Sequence, residues 1–213
     1  LGIEYLRRQE YEKSLEKLNR SLEYDPSYHA THNVFGLLYQ RLGKPEQAER
    51  SFRRALALRP SDSATSNNYG QFLCSQDRFA EAEEHFLQAA ANPLYETPEI
   101  PISNAGTCAL RSGDATAAEK HLRRALQLNP RVPSALLQMA RLSYEQDNFL
   151  SARGYLQRYL GVGRHTPQSL WLGIRIERQL GDKDALSSYR LLLKNNFPDS
   201  EEAKQLSASE GSR

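Results

Sequence analysis

The chain of 213 residues contains two cysteines, and the first chemistry to consider is a disulfide bond between them. A disulfide between Cys74 and Cys108 would close a loop of about thirty residues and would require an oxidising compartment such as the periplasm. The alternative is that both are small, half-buried apolar residues, as free cysteines often are. The choice depends on whether the fold brings these two positions together.

Metal binding is the second chemistry to consider, because the chain has five histidines. His29 and His32 lie three residues apart, a spacing that would place two metal ligands on one side of a helix. No cysteine or carboxylate pair completes a recognisable set of ligands around them. We therefore interpret both as packing or surface residues and predict no metal site.

Motifs of hydrolases and nucleotide-binding enzymes are missing from the sequence. There is no G-x-S-x-G, no H-E-x-x-H and no glycine loop that would cradle phosphate. Gly161-Val162-Gly163 has only half of a dinucleotide-binding fingerprint and is interpreted as a loop. Because no nucleophile, base and orienting group form a recognisable set, we predict a protein that is not an enzyme, with no cofactor and no small-molecule substrate.

A pattern of small, aromatic and proline residues recurs along the chain about every 34 residues. The clearest copy is His32-x₂-Phe35-Gly36-x₂-Tyr39, followed by Ala48-x₃-Phe52-x₂-Ala55-x₄-Pro60. This is the tetratricopeptide pattern, in which each repeat forms two antiparallel helices, A and B, and buries its apolar face against the next repeat. Six copies predict an all-α fold, a right-handed superhelical solenoid of six tetratricopeptide repeats.

The positions of the repeats predict a single domain over residues 1–206. The repeats span about residues 1–28, 29–62, 63–98, 99–132, 133–165 and 166–199, and a short C-terminal capping helix follows over 200–206. Residues 207–213 are predicted to be a disordered tail. Since Leu1 enters the pattern in the middle of an A helix, we expect the sequence to be a fragment of a longer chain.

The repeat frame favours the disulfide. Cys74 and Cys108 fall near the ends of the A helices of the third and fourth repeats, and neighbouring A helices lie side by side in such arrays. A bond there would also join two repeats whose connector is made irregular by Pro93, Pro98 and Pro101. The role of two free apolar residues stays open.

Composition excludes two further classes of partner. With 28 basic and 26 acidic residues the net charge is +2, so we expect no nucleic-acid binding. The pairs Arg53-Arg54 and Arg123-Arg124 occupy equivalent positions in B helices and are interpreted as a solvated outer face. No apolar stretch reaches the roughly 18 residues of a membrane-spanning helix. Trp171 is interpreted as a core residue, with a partner anchor as the alternative.

The inner surface of the array, which the A helices line, is the predicted protein-binding groove. In the first three repeats its residues are Ile3, Leu6, Arg7, Asn33, Leu37, Gln40, Arg41, Asn67 and Gln71. The apolar first part suits an amphipathic helix or an extended peptide with apolar anchors, and the amides would set its register. The alternative is that an upstream half of the first repeat covers Ile3 and Leu6.

Beyond the repeat frame, longer runs of residues resemble one family. These runs are Asn67-Asn68-Tyr69-Gly70-Gln71-Phe72-Leu73, Asn92-Pro93-Leu94-Tyr95, Asn104-Ala105-Gly106, Ser169-Leu170-Trp171-Leu172-Gly173-Ile174-Arg175 and Phe197-Pro198-Asp199-Ser200. Over residues 1–206 the chain resembles the type IV pilus biogenesis lipoproteins (PilF/PilW), which are tetratricopeptide pilotins of the pilus secretin.

The resemblance implies a non-enzymatic scaffold in pilus biogenesis that helps secretin subunits to reach the outer membrane and to multimerise there. It implies two partners, a pilus secretin subunit and the outer membrane, the latter through a lipid on a cysteine upstream of Leu1. The expected location is the periplasmic face of the outer membrane, with the fragment itself soluble. The alternative function is a generic periplasmic or cytoplasmic adaptor that binds another peptide.

Overall fold

The computed structural model describes residues 2–211, with side chains as far as Ser209, and over this range the protein consists of thirteen α-helices without a strand. The helices are α1 (Gly2–Arg7), α2 (Tyr11–Tyr24), α3 (His29–Arg41), α4 (Pro45–Leu58), α5 (Ser63–Ser75), α6 (Phe79–Ala91), α7 (Glu99–Arg111), α8 (Ala115–Leu128), α9 (Pro133–Glu145), α10 (Phe149–Leu160), α11 (Pro167–Leu180), α12 (Lys183–Asn196) and α13 (Glu201–Gly211). Odd-numbered helices from α1 to α11 are the A helices of the repeat pattern, and the even-numbered helices are its B helices. The prediction of an all-α tetratricopeptide fold is confirmed.

Each A helix is followed by one residue whose φ is positive. These residues are Gln9, Gly43, Asp77, Gly113, Asp147 and Gly181. Glycine adopts the left-handed conformation without steric cost, and aspartate is one of the residues that tolerate it. A residue in the left-handed conformation therefore follows every A helix, although only half of these positions carry the glycine that makes them visible in the sequence.

Close contact between the two helices of a pair depends on small residues of the repeat pattern. A Cβ atom added to Gly36 of α3 would lie 2.5 Å from Cε1 of Phe52 on α4, which is closer than atoms can pack. Phe52 has no exposed surface, and neither do Ala48 and Ala55 on the same helix. Glycine on one helix thus creates the space that the phenylalanine of its partner fills.

The helices form two compact units, of which the first ends at Asp114 and the second begins at Ala115. The core of the first unit is rich in aromatic side chains, with Phe52, Tyr69, Phe72 and Phe86 buried together. This core holds α3 to α7 in the order that the repeat pattern requires.

The second unit has an aliphatic core. Leu136, Leu156 and Ile176 lie in one buried cluster, while Leu170 and Leu206 belong to another. Leu206 is fully buried, so α13 covers one side of the last helix pair.

The last helix is longer than the sequence pattern suggests. It continues to Gly211, five residues beyond the end expected at Leu206. Ser209 on this extension accepts a hydrogen bond of 3.2 Å from Arg178 of α11, which gives the additional turn a tertiary partner. The first part of the predicted disordered tail is therefore helical, and residues 212 and 213 lie outside the described residues.

A polar network connects the second helix pair to the third within the first unit. Glu49 of α4 accepts hydrogen bonds from Arg78 at 2.8 Å and from Tyr69 of α5 at 3.0 Å. Burial raises the pKa of the Glu49 carboxyl, but the hydrogen bonds from Arg78 and Tyr69 outweigh burial and leave the pKa below its usual value. Arg78 also pairs with Glu81 of α6 at 2.6 Å, so one guanidinium bridges two helices.

Next to this network, His85 of α6 is half-buried. Its ring centroid lies 4.6 Å from that of Tyr69, and its Nδ1 atom lies 3.2 Å from Oγ of Ser66. Burial lowers the pKa of His85 below its usual value, against the opposing effects of a hydrogen bond with Gln88 and the charge of Glu84. The folded protein therefore favours the neutral imidazole.

We expect the unfolding temperature to fall as the pH decreases from about 7.5 to about 5.5. The stability that neutral His85 supports is complete above the ordinary histidine pKa of about 6.5 and is lost below it, because the unfolded chain takes up the proton first. His85→Gln keeps a polar side chain but removes this titration, so its pH profile should be flatter. Calorimetry of both proteins at one ionic strength is the measurement, and identical pH slopes would contradict the role of His85.

Candidate functional site

Five side chains from two neighbouring A helices line a cavity of about 410 Å³ in the first unit. Leu37, Gln40 and Arg41 come from α3, and Asn68 and Gln71 come from α5. Gln40 and Arg41 follow Leu37 by three and four positions, and Gln71 follows Asn68 by three, which places each set on one face of its helix. Because α3 and α5 contact each other directly, the two faces join into one open groove.

Amide side chains connect the A helices beside this groove. Nδ2 of Asn68 donates to Oδ1 of Asn33 at 3.1 Å, from α5 to α3. Nδ2 of Asn104 donates to Oδ1 of Asn67 at 2.8 Å, from α7 to α5. These two bonds fix the spacing of three successive A helices and so hold the shape of the groove.

The charge in the groove comes from Arg41. Its side chain is exposed, and it forms no ion pair within residues 2–209, where side chains are described. A guanidinium of this kind can pair with a carboxylate through two parallel hydrogen bonds. Gln40 and Gln71 each add a donor and an acceptor, which are the groups that a peptide backbone requires. The groove is therefore equipped to bind an extended polypeptide through its backbone and one acidic group.

Four of the nine residues predicted for the groove meet in this cavity. They are Leu37, Gln40, Arg41 and Gln71. Asn33 lies at its border, because it accepts the hydrogen bond from Asn68.

The other predicted groove residues lie elsewhere in the first unit. Ile3 lines a different cavity, of about 560 Å³, and Leu6 packs against the buried cluster around Leu18. Arg7 pairs with Glu4 at 2.9 Å on the surface of α1. Asn67 is buried and hydrogen-bonded to Asn104, so its amide is already in use.

Asn68 is the lining residue that sequence reasoning missed. The repeat frame assigned the inward position to Asn67, whereas it is the following asparagine that lines the cavity. One position along a helix is a rotation of about 100°, so a small error of phase exchanges a buried residue for one that faces the groove. The consecutive asparagines were the available signal, since two adjacent amides on an A helix can serve two different neighbours.

Cys74 of α5 and Cys108 of α7 are joined by a disulfide in the structure, with their Cα atoms 5.9 Å apart. This separation lies within the usual range for disulfides. Cys108 is buried and Cys74 is half-buried. The bond links the A helices of the third and fourth repeats within the first unit.

The two histidines with metal-ligand spacing have separate protein contacts. Nε2 of His29 lies 3.2 Å from Nη1 of Arg59, and Nε2 of His32 lies 2.9 Å from the carbonyl oxygen of Pro26. Over the described part of the chain, no group of three or more histidine, cysteine, aspartate or glutamate side chains is placed to hold a metal ion. In the same range, no helix combines the length and the apolar character needed to cross a membrane.

Comparison with known proteins gives consistent similarities. Two tetratricopeptide repeat family models match residues 33–96 and 109–169. The chain is 33% identical over 208 residues to the type IV pilus assembly protein PilF of Pseudomonas aeruginosa, covering 98% of this chain and 82% of PilF.

Solved structures extend this similarity to three dimensions. A crystal structure of PilW, described as a widely conserved type IV pilus biogenesis factor, superposes with a TM-score of 0.85 at 34% identity, covering 97% of this chain and 94% of PilW. A structure of Pseudomonas aeruginosa PilF gives a TM-score of 0.86 at 33% identity, with 98% and 94% covered. YrrB, a tetratricopeptide protein described as having an unusual peptide-binding site, shares the fold at 15% identity, with a TM-score of 0.62 and coverage of 90% and 97%.

Proposed function

The chain belongs to the PilF/PilW family of tetratricopeptide proteins of type IV pilus biogenesis, and from this membership we propose that it is a non-enzymatic scaffold that acts as the pilotin of the pilus secretin. In this role it binds a secretin subunit and promotes the localisation and multimerisation of that subunit at the outer membrane. The groove of the first unit, lined by Leu37, Gln40, Arg41, Asn68 and Gln71, is the observation that carries the proposal.

The groove suits a short extended segment of another protein. Leu37 is half-buried against the aromatic core of the first unit and offers an apolar contact, while the amides and Arg41 offer polar ones. Apolar burial supplies most of the affinity in such complexes, and hydrogen bonds to the backbone fix the register. None of the five lining residues is a histidine, cysteine, serine or acid, which fits binding without covalent chemistry.

Delivery to a membrane requires an anchor as well as a binding site. We propose that the parent protein carries a lipid on a cysteine upstream of Leu1 and faces the periplasm. A single acyl chain attaches only marginally, so durable delivery requires a multiply acylated anchor. The Cys74–Cys108 disulfide supports a periplasmic location, because structural disulfides persist in oxidising compartments.

Affinity capture of the secretin from solubilised outer membranes tests the proposal. Leu37→Asp places a charge in the groove and should abolish capture, as Ile3→Asp should if the neighbouring cavity takes part. Because Leu37 also contacts the core, the exposed pair Arg41→Ala/Gln71→Ala is the variant of choice, with an expected loss of about tenfold or more in captured secretin.

A matched control is available on the same unit. Arg54→Ala/Gln76→Ala makes the same chemical changes at exposed positions outside the groove and should leave capture unchanged. Circular dichroism checks that all variants stay helical. Undiminished secretin capture by both Leu37→Asp and Arg41→Ala/Gln71→Ala would exclude this groove. Capture of a different envelope protein with no secretin would favour the generic adaptor.

A further inference from the structure

The second unit has a surface of different chemistry, formed by Arg141 and Tyr144 of α9 and by Trp171, Arg175 and Arg178 of α11. We call it the cationic face. Arg141 and Arg175 are both the ninth residue of their A helix, and Tyr144 and Arg178 are both the twelfth. These are the positions that Leu37 and Gln40 occupy on α3 in the groove of the first unit. At these two positions α9 and α11 of the second unit therefore carry arginines and a tyrosine, whereas α3 of the first unit carries a leucine and a glutamine.

Two of the arginines are held against aromatic rings. The guanidinium carbon of Arg175 lies 4.3 Å from the ring centroid of Tyr144, which joins α11 to α9. That of Arg178 lies 5.7 Å from the ring of Trp171 on the same helix. Stacking orients a guanidinium while its N–H groups stay free to donate at the edge. Arg175, which is exposed, is thus positioned in advance for an acceptor.

The arginines of the cationic face have no carboxylate partner in the part of the chain whose side chains are described. Helices α9 and α11 together carry three arginines and two glutamates. One of these glutamates, Glu177, is buried and pairs with Arg153 of α10. The other, Glu145, is the last residue of α9 and is exposed, and it has no ion pair with any side chain that the structure describes.

Arg178 has one structural hydrogen bond and one donor without a partner among the described residues. Its Nε atom is buried and has no hydrogen-bond acceptor within residues 2–209, whereas one of its Nη atoms donates to Ser209. A buried donor without a partner is unfavourable, so a hydrophobic side chain at this position would serve packing better. The exposed guanidiniums of Arg141 and Arg175, which have no counter-ion among the described side chains, are the groups that a ligand can reach.

We propose that the cationic face binds an acidic segment of a protein partner, whose carboxylates pair with Arg141 and Arg175. The carboxylate is the planar anion that a guanidinium binds through two parallel hydrogen bonds. Tyr144 and Trp171 are half-buried beneath the guanidiniums, whereas aromatic residues that anchor a protein in a bilayer must be free to insert. This favours a polypeptide over a lipid surface. The site is independent of the proposed secretin groove, which lies in the first unit.

Selection from a randomised peptide library displayed on phage, with the full chain as bait, tests this proposal. Peptides enriched on the unmodified protein should contain aspartate or glutamate at two or more positions. The affinity of a synthetic enriched peptide, measured by fluorescence anisotropy, should fall at least about tenfold in Arg141→Gln/Arg175→Gln and should weaken with added salt.

The control has to remove the same charge elsewhere on the second unit. Arg124→Gln/Arg131→Gln does this at two exposed arginines outside the cationic face and should change the affinity less than about twofold. Circular dichroism and the unfolding temperature show whether each variant is folded. Three results would overturn the proposal: no enrichment, enriched peptides without acidic residues, or equal weakening in both double variants.

Vesicles that contain phosphatidylglycerol are the final arm. We compare vesicle binding of the unmodified protein with that of Arg141→Gln/Arg175→Gln. If only the unmodified protein binds and no acidic peptide is selected, the surface binds a membrane and the proposal is overturned. Secretin capture should be unaffected by the same double variant, so this test and that of the secretin groove can fail separately.

Discussion

Removal of the Cys74–Cys108 disulfide lowers the free energy of unfolding by about 4 kcal/mol, the decrease that chain entropy predicts for a loop of this length. The two cysteines are 34 positions apart, so the bond greatly restricts the unfolded chain. It also joins α5 directly to α7 across the irregular connector of the third repeat. We therefore expect the largest loss of stability in the first unit.

Cys74→Ala/Cys108→Ala is the variant to test, because alanine leaves no unsatisfied hydroxyl at the buried position of Cys108. Urea denaturation with circular dichroism measures the change, with the transition analysed for more than one step since repeat proteins often unfold in parts. Dithiothreitol should destabilise the unmodified protein by a similar amount and leave the double variant unchanged. A change below about 1 kcal/mol in both comparisons would show that the bond does not stabilise the fold.

Much of the helical architecture could be predicted from short-range spacing. Residues such as Gly36 and Phe52 have the same packing role in the first, second, third and sixth repeats, and the period of the pattern gives the all-α tetratricopeptide fold. The turns at Asp77 and Asp147 were less visible, because an aspartate in the left-handed conformation has no unique sequence signal. The extension of α13 to Gly211 depends on a tertiary hydrogen bond from Arg178, which no local pattern contains.

The candidate groove was predictable only in part. Its residues come from different helices, and the rotation of each helix about its axis decides which side chains face the groove. Leu37, Gln40, Arg41 and Gln71 were found from the repeat frame, and they do line one cavity. The choice of Asn67 over Asn68 was one position off, since the repeat frame cannot tell which of two adjacent asparagines is buried and which lines the cavity. The function of these residues stays a prediction until secretin capture is measured.

The cationic face illustrates a second limit of sequence reasoning. The sequence shows arginines in α9 and α11, but the stacking of Arg175 on Tyr144 and of Arg178 on Trp171 depends on side-chain conformation. Equally, net charge averages over the chain and hides a local excess of one sign. Positions that are equivalent in the repeat pattern carry different side chains in the two units. This difference indicates two candidate sites on one fold.

The second large effect is expected at Arg153, which secures three helices of the second unit. Its Nε atom donates to Glu177 of α11 at 3.0 Å, one Nη atom bonds the other oxygen of Glu177, and the same Nη atom reaches Asp182 at 3.3 Å. Asp182 in turn caps α12 by accepting from the backbone N–H of Ala185 at 3.0 Å. Glu177 is only 2% exposed, and Arg153 is the cation that pairs with its buried carboxylate.

Arg153→Ala should therefore lower the free energy of unfolding by about 3 kcal/mol, the low end of the range for a buried ion pair that loses one partner. Most of this cost arises from the uncompensated carboxylate of Glu177 rather than from the attraction itself. The double variant Arg153→Met/Glu177→Leu removes both charges and should recover most of the loss. Urea denaturation of both variants measures the coupling. If the double variant is as unstable as Arg153→Ala, the guanidinium acts through its packing and not by neutralising Glu177.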